Sequence, residues 1–229
     1  MKRTITTVAA IAALTLGVAA CGGDDDDEET GAAAPPPPSE TEAAPPEPVA
    51  QIDTLTGRNT RVTLDAGFAE ALGDLELTPA PVGDATINED LVAEFPISGG
   101  NVTYYEPGTI SPYVQGLIEH DGAGLSLESA DGTLVELTDF EVDPGASVLT
   151  GTVSVDGEEA VPSAPLFFLD GSTLNPLETG ADGAVAVLDG TTVKLKAEAA
   201  DLLNETFGVD ALEEGLLIGE AKITVDTGA

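Results

Sequence analysis

One cysteine, one histidine and no tryptophan limit the chemistry open to this 229-residue chain. With Cys21 alone, no disulfide can form within the chain, so the fold must rest on its core. His120 and Cys21 cannot between them assemble a zinc site, which draws on several such ligands. Cations are scarce as well: 7 Lys and Arg stand against 42 Asp and Glu, a net charge of -35. So acidic a chain is repelled by nucleic acid and by anionic lipid headgroups. It reads as a solvated acidic surface, with cationic or protein ligands as the partners its charge allows.

Enzyme motifs are missing too. No G-x-S-x-G elbow, Walker loop or dinucleotide fingerprint occurs. A Ser-His-Asp site would need His120, and no serine is marked out as its partner. No D-x-D-x-D-G…E loop supports calcium, and 42 carboxylates make any chosen acid pair meaningless. The expectation is a non-enzymatic protein with neither a metal nor a required cofactor.

The apolar run long enough to matter is the first one. Met1-Lys2-Arg3 precedes Thr4 through Leu16, and Val18-Ala19-Ala20-Cys21 follows. Charge, a short apolar stretch and small residues at a cleavage point make a secretory signal; the run is too short for a spanning helix. The last four residues fit a bacterial lipobox. Residues 1–20 are therefore expected to be removed, and Cys21 to carry the lipid (palmitate among its acyl chains). Two or three chains on one cysteine anchor stably where a single chain does not. The expected location is extracytoplasmic, on the outer face of the cell membrane, or in the outer membrane of a diderm. Cleavage removes Lys2 and Arg3 and no acid, leaving 5 basic against 42 acidic residues, a net charge of -37.

Residues 21–50 are expected to form a tether. Seven of the 16 prolines lie there among acids, with almost no large apolar side chain. At the rise of polyproline II its reach is about 90 Å.

From residue 51 to 229 the pattern changes. Asp-Gly pairs at 121–122, 131–132, 156–157, 170–171, 182–183 and 189–190 alternate with short apolar runs such as Val135/Leu137, Val153/Val155 and Val193/Leu195. Asp-Gly between alternating β-branched residues is a hairpin signal. The spacing predicts one all-β domain, an antiparallel β-sandwich, carrying short helices at 65–73 and 197–208. An internal repeat runs through it: Thr60, Val62, Leu64, Ala66, Ala69 and Leu72 recur 131 positions later as Thr191, Val193, Leu195, Ala197, Ala200 and Leu203. Each copy reads as strand, helix, strand.

One constellation offers specific chemistry. Residues 101–124 hold all three tyrosines, Tyr104, Tyr105 and Tyr113, together with His120. Tyrosine and histidine are haem-iron ligand types. The plainer reading is half-buried strand tyrosines with His120 opening a turn.

The stretch Gly116-Leu117-Ile118-Glu119-His120-Asp121-Gly122-Ala123-Gly124-Leu125, continuing through Asp131-Gly132 to Phe140, resembles the central motif of HtaA-type domains. These are envelope domains of high-GC Gram-positive bacteria. The broader pattern, from Phe95–Gly100 to Phe207-Gly208, is shared with many secreted bacterial β-domains. The resemblance implies a β-sandwich that binds haem through a tyrosine supported by a histidine. His120 falls in the matching motif. The family's tyrosine lies in an aromatic N-terminal segment that this chain lacks. The resemblance thus carries fold, which alone does not supply function. Three functions remain: an anchored binding or structural module of the envelope, a haem-uptake lipoprotein using Tyr104, Tyr105 or Tyr113 with His120, or a hydrolase using acidic residues. Oligomeric state is not legible.

Overall fold

In a computed structural model, the structure describes residues 46–180 and 183–227. The expected signal segment, Cys21 and the tether through residue 45 lie outside the described residues.

Among the described residues, thirteen strands and two helices follow one another. First come β1 (Ala50–Ile52), β2 (Arg58–Leu64), α1 (Ala66–Asp74), β3 (Leu77–Gly83), β4 (Thr86–Ile87), β5 (Val92–Pro96) and β6 (Gly99–Tyr104). The middle is built of longer strands: β7 (Val114–Ser129), β8 (Leu134–Asp143), β9 (Val148–Val155) and β10 (Glu158–Asp170). After a 3-10 turn at Gly171–Thr173 come β11 (Glu178–Thr179), β12 (Val185–Leu195), α2 (Ala197–Phe207) and β13 (Leu217–Asp226). Every strand pair is antiparallel. The fold is all-β and sandwich-like, as the alternation predicts, but one continuous sheet supplies both layers. Its order is β1-β6-β7-β8-β9-β10-β12-β13-β2-β5-β4, with β3 added to β7 and β11 to β12.

Two adjacent residues curl that sheet on itself. The Ile97 amide donates to the Arg58 carbonyl (2.8 Å), continuing the β2–β5 side, while the Ser98 amide donates to the Glu119 carbonyl (2.8 Å) on the β7 side. The chain thus crosses from one end of the sheet order to the other within a single peptide. Ile118 and Val142 on one wall then face Leu188 and Ile223 on the other.

The Asp-Gly pairs serve more uses than hairpin turns. Asp156-Gly157 does make the expected two-residue hairpin between β9 and β10, with φ of 51° and 81°. Positive φ at both positions is the I′ geometry that matches strand twist. Asp131-Gly132 lies in the turn from β7 to β8. Asp121-Gly122 and Asp189-Gly190, however, fall inside β7 and β12 at register shifts. A residue pair that tolerates positive φ suits a bulge as well as a turn, and periodicity alone does not separate them. Bulges there let β7 and β12 run on as long strands, and they bend the sheet.

Both expected helices form. The Asp65 carboxylate caps α1 by accepting from the Gly67 amide at 2.8 Å. Gly208, left-handed at φ 66°, ends α2. The strand-helix-strand repeat is present too, but its copies pair differently. β12 and β13 pair with each other around α2, and β2 lies on the other side of β13. In the first copy, β3 leaves to pair with β7.

Core burial holds this arrangement. Val135, Val153, Ile118 and Leu166 are almost wholly buried, each worth about 1.5–3 kcal/mol. The five ion pairs among the described residues lie at or near the surface, where the usual worth is about 0–1 kcal/mol. Among the described residues, no helix is long and apolar enough to cross a membrane.

Candidate functional site

The four candidate residues divide between two places. Tyr104 and Tyr113 meet edge to face, with ring centroids 5.9 Å apart, because β6 and β7 pair antiparallel and set Tyr104 opposite Val114. The Tyr105 amide donates to the Tyr113 carbonyl at 2.7 Å, so Tyr105 joins them through its backbone. Tyr104 is buried, and Tyr105 and Tyr113 are half-buried.

His120 sits elsewhere, inside the curl and only 2% exposed. It lies within β7 at the start of the bulge, rather than opening a turn. Its Nδ1 is 2.9 Å from the Pro96 carbonyl oxygen, and its Nε2 is 3.2 Å from the Thr60 hydroxyl. A carbonyl only accepts, so Nδ1 carries the proton and Nε2 accepts from Thr60. Phe95 and Phe140 pack nearby, Phe95 edge-on to the imidazole. Burial holds the His120 pKa below its ordinary value, with the Pro96 hydrogen bond and Asp121 opposing in part. A hydroxyl beside an imidazole is the geometry of an activated nucleophile, but Thr60 is only 5% exposed to solvent.

Tyr113 does reach a cleft. A cavity of about 310 Å³ opens between three segments at one end of the curled sheet: Ser111–Tyr113, Pro144–Ser147 and Phe168–Leu174. That volume is at the lower end of ordinary small-molecule sites, roughly 300–1,000 Å³. Its floor is apolar, formed by Ile118, Val142, Leu188 and Ile223. Phe168, 42% exposed, stands at the mouth. The Tyr113 hydroxyl donates to the Gly171 carbonyl across the cleft wall (3.2 Å). Burial, then the neighbouring Tyr104, raises the Tyr113 pKa, so the phenol stays protonated.

At the rim, the Ser172 hydroxyl and amide and the Lys194 ammonium all donate to Asp170, holding its pKa at about 2. Sequence reasoning missed Thr60, Phe168, Leu174 and Ile223. Thr60 did carry a signal, as the first position of the repeat, but an apolar cleft residue looks like a core residue in sequence.

Among the described residues, no group of three or more His, Cys, Asp or Glu could hold a metal ion. Haem makes demands that this site meets poorly. Both His120 nitrogens are committed, and the Tyr113 hydroxyl is already bonded to the Gly171 carbonyl.

No protein-family model and no curated protein matches the sequence. A solved structure does match in fold. The C-terminal domain of HtaA from Corynebacterium glutamicum superposes with a TM-score of 0.53 at 13% identity, over 76% of this chain and 98% of that one. A histidine-to-alanine variant of that domain, solved as a domain-swapped dimer, gives a TM-score of 0.45 at 14% identity, over 71% of this chain and 92% of that one. The first of these superpositions shows an HtaA-like fold for the β-domain.

Proposed function

We propose that this protein is a non-enzymatic ligand-binding module of the cell envelope, tethered by lipid at Cys21 outside the membrane, with its ligand in the cleft under Tyr113. The observation that carries the reading is the cleft itself: a mostly apolar cavity of about 310 Å³, open at one end of the curled sheet. Small-molecule sites have this character, concave and mostly apolar with a few polar groups at the edge. The residues nearest to a catalytic pair, Thr60 and His120, are sealed in the core and bonded to each other.

The test has two parts. Lipid at Cys21 predicts that the wild-type chain fractionates with membranes and that Cys21→Ser releases it. The cleft predicts saturable, one-to-one binding of the neutral fluorophore N-phenyl-1-naphthylamine. Leu174→Trp, which fills the mouth, should weaken that binding at least about tenfold. A linear, non-saturating response would sink the binding reading.

Haem is the second reading, supported by the HtaA-like fold and by a tyrosine hydroxyl in the cleft wall. A saturable Soret band lost in Tyr113→Phe would establish it. A flat titration would remove it.

A further inference from the structure

We infer that the cleft accepts an uncharged apolar chain, such as the tail of a neutral lipid, and rejects anionic ligands of the same size; this rests on the binding-module reading above.

Three observations carry it. The first concerns the inner walls, which are mostly apolar. Among the described residues, no buried side-chain nitrogen or oxygen lacks a partner. Of the polar residues that border the space behind the cleft, Thr60 and His120 are satisfied by each other and by Pro96, and Thr191 stands where that space meets the cleft. A ligand group buried there meets one hydroxyl, that of Thr191, and otherwise apolar side chains, so the buried part must be mostly apolar.

The second is shape. Behind the cleft lies a void of about 60 Å³, which shares Val142, Leu169, Thr191 and Ile223 with it. A smaller one of about 20 Å³ shares Ile118, Leu188 and Ile223. Space that narrows inward past single side chains suits a flexible chain better than a flat macrocycle.

The third is charge. Every Lys and Arg among the described residues is already ion-paired: Arg58 with Asp226, Arg61 with Glu94, Lys194 with Asp170, Lys196 with Glu198 and Lys222 with Asp189. The remaining two, Lys2 and Arg3, fall in the segment expected to be cleaved. Asp170 is the charged group lining the cleft, and its cation is spoken for. A carboxylate brought to this mouth would meet Asp170 and, with Lys2 and Arg3 gone, a net charge of -37, with no unpaired cation among the described residues to receive it. Burying an uncompensated charge is strongly disfavoured. The same deficit works against the propionates of haem and the carboxylate of a free fatty acid.

The experiment is displacement of bound N-phenyl-1-naphthylamine from the full chain carrying Cys21→Ser, so that no acyl anchor competes. Neutral alkanols are compared with ionised alkanoates of equal length at neutral pH, with haem as a third competitor. Alkanols should displace the probe, and each added methylene should tighten binding about fourfold until the space is filled. Alkanoates should bind at least about tenfold more weakly. Ser111→Lys, which adds a cation at the exposed rim, should tighten alkanoate binding several-fold relative to alkanol binding. Leu174→Trp should weaken all competitors; if it does not fold, Phe168→Ser at the open mouth should do the same. Alkanoate or haem displacing as well as the alkanol would overturn the uncharged class while leaving the cleft as the ligand site. Failure of the fluorophore itself to bind saturably would overturn the binding reading and this inference with it.

Discussion

The Nε2 of His120 lies 3.2 Å from the Thr60 hydroxyl, a contact between residues 60 positions apart that ties β7 to β2. Its other nitrogen reaches Pro96 at the end of β5. One imidazole therefore joins the strands that the curl brings together, close to the Ile97-Ser98 crossing. It is held neutral, with every ring position that can bond in use.

That neutrality predicts a pH dependence of stability. Burial lowers the folded-state pKa of His120 below the unfolded value, near 6.5. The unfolded chain then takes up the proton first as pH falls. The contribution of neutral His120 is complete above about pH 6.5 and is lost below it, until the folded-state value is reached. The slope should not exceed about 1.4 kcal/mol per pH unit. Chemical denaturation at several pH values between neutral and five should show this slope, and His120→Phe should flatten it.

Thr60→Val removes the hydroxyl without removing volume. Nε2 would then be buried with no donor, at a cost of about 1–3 kcal/mol at neutral pH. Thr60→Ser should recover most of that loss. Equal urea midpoints for the wild-type chain and the Thr60→Val variant would show that the bond contributes nothing.

Asp170 should stay ionised to about pH 2, because Ser172 first and Lys194 second stabilise its charge. The sign is opposite to that of His120: the contribution is present above the ordinary carboxylate range and is lost as pH falls toward about 2. Ser172→Ala should raise the titration midpoint toward the ordinary value. Carbon-detected NMR of the Asp170 carboxyl would read the change directly.

Ile223 borders the cleft and both voids behind it. Ile223→Ala should merge the three spaces and move the best-binding alkanol to a longer chain. Half-buried as it is, it should cost near the lower end of the roughly 2–5 kcal/mol seen for such truncations. An unchanged chain-length optimum would mean that the spaces do not communicate.

Local signals carried much of the fold. Alternation marked the strands around Val135, Val153 and Val193, because a strand with one buried face repeats every two residues. Asp65 and Gly208 marked helix ends through their own backbone chemistry. The motif around His120 pointed to the HtaA-like fold, and the match of 60–72 with 191–203 pointed to two strand-helix-strand units.

What the sequence by itself determined was therefore local and compositional: strand faces, helix ends, the scarcity of cations and the lack of enzyme motifs. Tertiary structure alone decided the rest. Whether Asp121-Gly122 turns the chain or merely bulges it depends on β8, which pairs on both sides of that point. His120 meets Thr60 and Pro96 because the sheet curls, and no spacing along the chain encodes that meeting. The cleft is the clearest case. Ile118, Val142, Leu188 and Ile223 are ordinary core residues in sequence; they border open space because the walls they stand on meet at one end of the sheet without filling it.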